Sequence, residues 1–345
     1  TSIRNTMSTD KAKKTVQNLL AKAGIQINGD NPCDIQVQND NLYRRVIAEG
    51  SLGLGEAYMD GWWDVEKLDD FFYRIFKFDL RKEVKGTLSD FLLMLQSRFL
   101  NMQSRLRSKK VAQEHYDLGN DLYMSFLDPY NQYTCGYFKN TEDLNVAQEQ
   151  KLELICKKLQ LSEQDKVLDI GCGWGGFAKY AASHYGCKVT GITISDQQYQ
   201  YAKEYCAGLP VTILKKDYRD LEETFDKVLI CGMIEHVGYK NYRQIMEVVH
   251  RNLKDGGLFL LHTIGSSTSE THGDPWVLKY IFPNSMLPSV KQLAAASEGL
   301  FVMEDWHNFG PYYENTLKAW FSNFDASWNE LCKTYDERFY RMWKY

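Results

Sequence analysis

The sequence predicts an α/β protein whose larger part is a doubly wound parallel sheet. From residue 111 onward, short apolar runs alternate with helical patterns, an order typical of parallel strands connected by helices on both faces. One of these runs, Lys166–Ile170, continues directly into a glycine-rich turn and a helix. Such sheets bind ligands at the carboxyl ends of their strands, so we expect the functional site there. The predicted strands span residues 166–170, 188–194, 210–215, 226–231 and 257–263.

The turn after Lys166–Ile170 indicates which ligand binds. Glycines at 171, 173, 175 and 176 let backbone N–H groups approach a nucleotide-like ligand without obstruction by a Cβ atom. An enzyme that uses a nicotinamide cofactor usually has an acidic residue about 20 positions further on, where Thr193 stands here. Asp169 instead lies inside the strand and gives D-x-G-x-G-x-G, which is similar to the first motif of S-adenosylmethionine (SAM)-dependent methyltransferases. The motif therefore favours SAM over the alternative, a nicotinamide cofactor.

The composition restricts the class of protein. A chain of 345 residues with 44% hydrophobic residues and a net charge of −4 is expected to be globular and gives no reason to expect nucleic acid. The aromatic share of 14% predicts an apolar pocket or a membrane-facing surface. Eight cysteines without a C-x-x-C pair and seven histidines without paired spacing predict reduced thiols, a cytosolic compartment and no metal site. No run approaches the about 18 apolar residues of a membrane span, so we expect a soluble or peripheral protein.

Residues 1–78 are predicted to form a small α+β domain. Helical spacing and alternation predict two helices and two strands in its first part, at residues 11–23, 25–29, 34–38 and 42–49. Residues 53–63, dense in glycine and aromatic residues, predict a turn-rich segment, and the apolar run 68–78 predicts a further helix. Two interpretations of this domain stay open, a packed structural subdomain and a platform for lipid or a partner subunit.

Residues 79–110 are predicted to be a basic helical linker before the catalytic domain, residues 111–345. Between residues 95 and 112 there is no acidic residue, and such a helix is either a solvated face or a surface attracted to an anionic membrane. The basic residues are Arg98, Arg105, Arg107, Lys109 and Lys110. At the other end of the chain, alternation predicts a late antiparallel strand at residues 301–309, followed by a long helical stretch at 313–345.

Seven segments in order carry a resemblance to a known family. They read H-Y-D-L-G-N-D from residue 115, Y-T-C-G-Y-F from 133, L-D-I-G-C-G-W-G-G from 168, T-I-S-x-x-Q from 193, G-M-I-E-H-V-G from 232, L-L-H-T-I-G from 260 and W-H-N-F-G-x-Y-Y from 306. Together they closely resemble the bacterial cyclopropane-fatty-acyl-phospholipid synthases and, more distantly, the mycolic acid cyclopropane synthases. The resemblance covers nearly the whole chain.

The resemblance implies a Rossmann-like class I SAM-methyltransferase fold and a reaction on lipid. In that reaction the methyl group of SAM is transferred to a cis double bond in the acyl chain of an unsaturated phospholipid, and loss of a proton closes a cyclopropane ring. The resemblance also implies a homodimer, located in the cytoplasm and bound peripherally to the anionic inner face of the cell membrane.

The resemblance further implies that the general base is a bound bicarbonate. The positions that match are Cys135, Glu235, His262, Tyr313 and, through its backbone, Ile264. Tyr116 is expected to place its ring near the sulfonium. Each of these residues taken alone has a structural interpretation, such as a packed cysteine or a core histidine. The positions expected to bind SAM are Tyr133, Thr134, Asp169, Gly171, Cys172, Gly173, Trp174, Gly175, Thr193, Gln198, Asp217 and Tyr218.

Three other functions remain open on the sequence. A SAM-dependent enzyme of the same superfamily could methylate an amine, or it could methylate an acyl chain without closing the ring. A different class of protein, a non-catalytic scaffold at the lipid surface, would keep the fold without binding SAM.

Overall fold

The structure, a computed structural model, describes residues 8–80 and 119–345. Within these residues the chain forms two compact units. One comprises residues 8–80, 272–283 and 332–345, and the other, the methyltransferase-fold unit, comprises residues 119–271 and 284–331. The basic residues Arg98, Arg105, Arg107, Lys109 and Lys110 lie outside the described residues, as does Tyr116. The domain boundaries at residues 78 and 110 remain a prediction.

The described helices and strands are named here in chain order. The helices are α1 Thr9–Lys22, α2 Asn41–Glu49, α3 Ser51–Met59, α4 Leu68–Lys77, α5 Asn120–Phe126, α6 Leu144–Lys158, α7 Gly176–Tyr185, α8 Asp196–Tyr205, α9 Tyr242–Asn252, α10 Pro275–Tyr280, α11 Val290–Ser297, α12 Tyr312–Ala326, α13 Trp328–Leu331 and α14 Glu337–Lys344. The strands are β1 Gln36–Val37, β2 Trp63–Asp64, β3 Lys166–Ile170, β4 Lys188–Thr193, β5 Val211–Lys215, β6 Phe225–Cys231 and β7 Leu253–His262.

The five strands β3 to β7 form one parallel sheet in the order β5-β4-β3-β6-β7. Alternate residues of β3 face opposite sides, since Leu168 and Ile170 join one hydrophobic cluster and Val167 joins another. Both faces are therefore buried, as expected for parallel strands covered by helices. The predicted doubly wound sheet is confirmed. β3 and β6 are neighbours, and the chain continues from β3 to β4 on one side and from β6 to β7 on the other. The crevice between the carboxyl ends of β3 and β6 is therefore the expected ligand site.

The first unit differs from the prediction in two places. The predicted strand at 25–29 is reduced to one bridge between Ile27 and Ile35, whereas the strand predicted at 34–38 is present as the short β1, which pairs with β2. The segment predicted to be turn-rich is mostly helix α3, with Gly55 inside it. A Cβ atom on Gly55 would collide with the indole of Trp276, so this glycine permits close packing rather than a turn.

The C-terminal part also corrects two predictions. Residues 301–309 are not a strand, because they pair with no described strand and most of their side chains are exposed, including Val302 (83% exposed). The long helical stretch predicted after residue 313 is three separate helices, α12, α13 and α14. Among residues 8–80 and 119–345, no helix combines the length and hydrophobicity needed to cross a membrane.

Candidate active site

The glycine-rich turn after β3 is shaped by two different requirements. Gly171, Gly173 and Gly175 have φ values of 81°, 54° and 86°, which favour glycine. A Cβ atom on Gly173 would meet no atom within 4 Å, so the backbone there borders open space. Gly176 has the opposite surroundings, because a Cβ atom would collide with the carbonyl oxygen of Tyr130. The turn thus presents bare backbone at Gly173 and packs tightly at Gly176.

The tip of β4 has buried polar side chains at the place where an enzyme that uses a nicotinamide cofactor usually has an acidic residue. Thr193 Oγ1 donates to Gln198 Oε1 at 2.9 Å, and both side chains are buried. Ser195 caps α8 by accepting from the backbone N–H of Gln198 at 3.3 Å. Because Thr193 engages the Gln198 oxygen, the amide of Gln198 retains its NH₂ group as a donor. The structure therefore brings the two residues together where β4 ends.

Several residues expected at the SAM site use their side chains for packing. Trp174 Nε1 donates to Asn120 Oδ1 at 3.0 Å, and its ring lies 4.9 Å from that of Tyr123. Cys172 and Tyr218 are buried in hydrophobic clusters. Asp217 caps a short 3₁₀ helix and forms an ion pair with Arg219 at 3.2 Å. Tyr133 is partly exposed and contacts the rings of Tyr123, Phe126 and Trp320.

Asp169 is the acid of the D-x-G-x-G-x-G motif, and it is only 2% exposed. Burial raises the pKa of its carboxyl group, and the nearby positive charge of Lys151 lowers it in part. The protonation of Asp169 therefore depends on two opposing effects, burial and the charge of Lys151.

His262 ends β7 and is fixed from two sides. Its Nδ1 atom lies 3.0 Å from Cys231 Sγ, at the end of the neighbouring strand β6. The imidazole also stacks on Phe309, with ring centroids 5.4 Å apart. Burial and the charge of Lys151 lower the pKa of His262 to about 4. The imidazole is thus neutral near pH 7 and has one N–H to donate.

Glu235 follows β6, and one of its two carboxylate oxygens is bound by the backbone. Its Oε1 accepts from the backbone N–H of Ile264 at 2.9 Å. Its Oε2 is buried with no hydrogen-bond partner among the described residues. Burial raises the pKa of Glu235, and the hydrogen bond from Ile264 only partly offsets this. The Ile264 N–H, expected to face an anion, is thus given to Glu235.

Cys135 and Tyr313 are the remaining two residues predicted for the base site. Burial raises the pKa of the Cys135 thiol to about 11, and its Sγ accepts from Thr316 Oγ1 at 3.9 Å. Burial also raises the pKa of Tyr313, and negative charge on Cys135 and Glu235 would raise it further. Both groups are therefore protonated near pH 7. The pKa of Tyr313 therefore responds to charge on both Cys135 and Glu235, as expected for groups in one buried region.

Sequence reasoning missed Lys151 and Gln148, which lie on the buried face of α6. Lys151 is 1% exposed, and its Nζ donates to Thr134 Oγ1 at 2.8 Å and to Gln132 Oε1 at 2.5 Å. Gln148 Nε2 donates to the backbone oxygen of Thr134 at 2.8 Å. A signal was present in the sequence, because helical spacing places both residues on the same face as buried apolar residues. These are Leu144, Ala147, Leu152 and Ile155.

No group of three His, Cys, Asp or Glu side chains in the described ranges could hold a metal ion. The site contains buried neutral donors, two carboxyl groups with raised pKa values and one lysine. This arrangement suits a small anion or a polar cosubstrate beside an apolar one.

A parallel sheet with an acid and a glycine-rich turn at its central strand, and polar groups at the next strand tip, defines the class I fold of SAM-dependent methyltransferases. The family model of mycolic acid cyclopropane synthetase matches residues 103–345. The chain belongs to this family and is a SAM-dependent methyltransferase.

Known relatives support this membership. The cyclopropane-fatty-acyl-phospholipid synthase of Escherichia coli K12 is 52% identical over 336 residues, which cover 97% of this chain and 88% of that protein. The crystal structure of mycolic acid cyclopropane synthase CmaA1 complexed with SAH and CTAB has a TM-score of 0.62 and 27% identity, covering 68% of this chain and 90% of that one. Coclaurine N-methyltransferase, bound to N-methylheliamine and SAH, has a TM-score of 0.69 and 22% identity over 84% of this chain and 91% of that one. This last similarity shows the fold alone.

Proposed function

We propose that the protein transfers the methyl group of SAM to the cis double bond of an unsaturated phospholipid acyl chain and closes a cyclopropane ring, with bound bicarbonate as the general base. The identity of 52% with a cyclopropane-fatty-acyl-phospholipid synthase supports the substrate. The observation that supports bicarbonate as the base is that the buried Oε2 of Glu235 has no partner among the described residues. Glu235 also interacts electrostatically with His262 and Tyr313.

The residues present fit a bicarbonate ion. His262 and Tyr313 are both uncharged near pH 7, so each has a hydrogen to donate to an anion. Cys135, a protonated thiol, is a weaker donor. The unpartnered Oε2 of Glu235 is an acceptor suited to the hydroxyl group of bicarbonate. Together they offer three donors and one acceptor, which complement the oxygens and the hydroxyl group of HCO₃⁻.

The residues at the sheet edge also fit SAM. When bound, SAM supplies an electrophilic methyl group on a sulfonium, and bicarbonate supplies a proton acceptor. Gly173 leaves open space beside its backbone, and Thr193 positions the Gln198 amide at the tip of β4. An alkene is a poor nucleophile, so the main contribution of these residues is to hold the two substrates in line.

Aromatic side chains close to His262 suit the apolar partner in the reaction. Phe309 stacks on His262, and the rings of Tyr137 and His307 pack edge-on against Phe309. Such rings exclude water and offer π-faces to positive charge that develops on an acyl chain. The predicted basic attachment to the membrane and the homodimer remain predictions that accompany this function.

Product analysis tests the function. The protein is incubated with SAM and vesicles of cis-unsaturated phosphatidylethanolamine and phosphatidylglycerol, and the lipids are analysed by mass spectrometry and hydrogenation. We expect the acyl chain to gain one CH₂ unit and to resist hydrogenation as a ring does. A methyl group on the ethanolamine nitrogen, a methyl-branched chain that is still unsaturated, or no binding of SAM in calorimetry would each overturn the proposal.

A bicarbonate titration tests the base separately. In buffer depleted of CO₂, we expect the wild-type rate to rise with added bicarbonate. Tyr313→Phe is expected to need more bicarbonate for half of the maximal rate, while its SAM affinity stays unchanged. Tyr239→Phe, a change of the same atoms outside the proposed site, is the matched control. A rate independent of bicarbonate would overturn bicarbonate as the base.

A further inference from the structure

Lys151 is a buried lysine with no carboxylate within 4.0 Å among the described residues; burial lowers its pKa, and the charges of Asp128 and Asp169 partly offset this. It is 1% exposed, and none of the ion pairs within 4.0 Å among the described residues includes it. Its partners are neutral oxygens of Thr134 and Gln132. Burying an unpaired ammonium costs several kcal/mol, on the order of what a domain can spare. Lys157 on the same helix is 70% exposed and pairs with Glu153, which is the ordinary arrangement. The location of Lys151 therefore calls for a reason other than stability.

The segment that Lys151 holds, residues 132–136, belongs to no helix or strand. It has no regular ladder of backbone hydrogen bonds, so side chains hold it in place. Gln148 binds the Thr134 carbonyl from α6, and Thr316 Oγ1 accepts from the Gly136 N–H at 3.0 Å from α12. Lys151 adds two hydrogen bonds to the same segment, to the side chains of Gln132 and Thr134. The segment carries residues expected at the SAM site and at the base site alike.

Hydrogen bonds continue from Lys151 to His262. An ammonium can only donate, so Thr134 Oγ1 accepts from Lys151 and has its own hydrogen to give. Cys231 Sγ lies 3.8 Å from Thr134 Oγ1 and 3.0 Å from His262 Nδ1. A thiol that accepts from Thr134 donates its hydrogen to Nδ1. Each group in the series then has one direction of donation, set by the lysine.

We propose that Lys151 is a positioning residue: it fixes segment 132–136 and, through Thr134 and Cys231, holds His262 as the tautomer with its proton on Nε2. This inference rests on the proposed function for the role of His262 but not for the position of the segment. The charged or titratable groups that interact with Lys151 are Asp128, Asp169, Cys135, Cys231 and His262.

The test uses the full-length protein and matched variants. Lys151→Met keeps the length of the side chain without its charge, and we expect SAM affinity to fall about tenfold, as for the loss of a hydrogen bond to a charged group. The maximal rate should fall about 100-fold through misplacement of the segment. Thr134→Val should reproduce both effects and Thr134→Ser should not, and the double variant should be no worse than Lys151→Met. Lys157→Met is the control on the same helix.

The tautomer has a readout of its own. Nitrogen NMR of selectively labelled histidine should show the proton of His262 on Nε2 in the wild type and in Thr134→Ser, and a mixture in Thr134→Val. Thr134→Val changes no charge, so it carries the test even where Lys151→Met does not fold. Wild-type SAM affinity and an unchanged tautomer in Thr134→Val would overturn the inference. A changed tautomer with full ring formation would support the positioning by Lys151 and overturn the proposed role of His262.

Discussion

Glu56 in the first unit and Glu235 in the methyltransferase-fold unit are buried to nearly the same degree, 8% and 7% exposed. Their partners differ. Glu56 pairs with Arg45 and Lys279 and accepts from Tyr280 Oη at 2.7 Å. Burial alone would raise the pKa of Glu56, but these hydrogen bonds lower it overall. Glu235 accepts from the Ile264 N–H at Oε1, its Oε2 has no partner among the described residues, and burial raises its pKa.

The difference distinguishes a structural carboxylate from an available one. Every charge around Glu56 is compensated within the unit, so its burial joins α2, α3 and α10 without leaving a group for a ligand. Glu235 retains a buried oxygen without a partner among the described residues, which is uncommon unless a ligand or a reaction uses it. The same Glu→Gln substitution at both positions tests this distinction.

Glu235→Gln is expected to have the largest effect, and on activity. The amide keeps the volume and can keep the acceptor for Ile264, but it replaces an acceptor with a donor at Oε2. We expect the rate of methyl transfer to fall by at least about 100-fold, the usual range for a group that handles a proton. The midpoint of urea unfolding should stay the same or rise, because a poorly compensated buried acid is removed. Loss of activity together with a large loss of stability would place Glu235 with the structural carboxylates.

Glu56→Gln should show the reverse pattern. Removing the charge leaves Arg45 and Lys279 facing a neutral group, which we expect to reduce the free energy of unfolding by about 2 kcal/mol. The SAM affinity of the folded protein, measured by calorimetry, should not change. Reduced SAM affinity at unchanged stability would contradict the structural assignment.

The sequence predicted the parallel sheet because its signal is local. Each strand is a short apolar run followed by a helical pattern, and the predicted run at residues 166–170 matches β3. The turn-rich prediction for residues 53–63 was wrong because the reason for Gly55 is not local. Trp276, which packs against it, lies more than 200 residues away in sequence. Residues 301–309 show the converse, an alternating pattern without a strand partner among the described residues.

The residues of the candidate site also fall into those that local sequence motifs predicted and those that depend on distant packing. Motifs in sequence order pointed to Glu235, His262 and Tyr313, which interact electrostatically in the structure. The role of Cys231 could not be predicted, since it depends on the register between β6 and β7 that sets its sulfur beside His262. Lys151 was accessible in principle from the spacing of α6, but lysine on an apolar face is usually interpreted as a side chain that reaches solvent.

The stability of the protein should depend on pH differently through His262 and through Glu56. The pKa of His262 in the folded state, about 4, is below its ordinary value of 6.5. Its contribution to stability is therefore complete above pH 6.5 and is lost as pH falls towards 4. We expect His262→Asn to remove this dependence, so that its difference from wild type in free energy of unfolding shrinks by about 2 kcal/mol over that window.

The control for this pH dependence is His250→Asn, at an exposed histidine. Glu56 has a lowered pKa, so its contribution to stability is lost only as pH falls below the ordinary glutamate value of 4.5. A constant difference for His262→Asn would mean that the imidazole is solvated in the folded protein.

Glu223→Gln should have the smallest effect, and it completes the comparison with an exposed carboxylate. Glu223 pairs with Lys166 at 2.6 Å, yet its side chain is 62% exposed. Solvent screens such a pair, so we expect a change of at most about 0.5 kcal/mol in the free energy of unfolding, and no change in methyl transfer. A larger loss would mean that the short distance outweighs solvation here. If the predicted ranking holds for the three glutamates, the decisive property is how completely the protein satisfies each carboxylate once water is excluded, and not how many cations lie nearby.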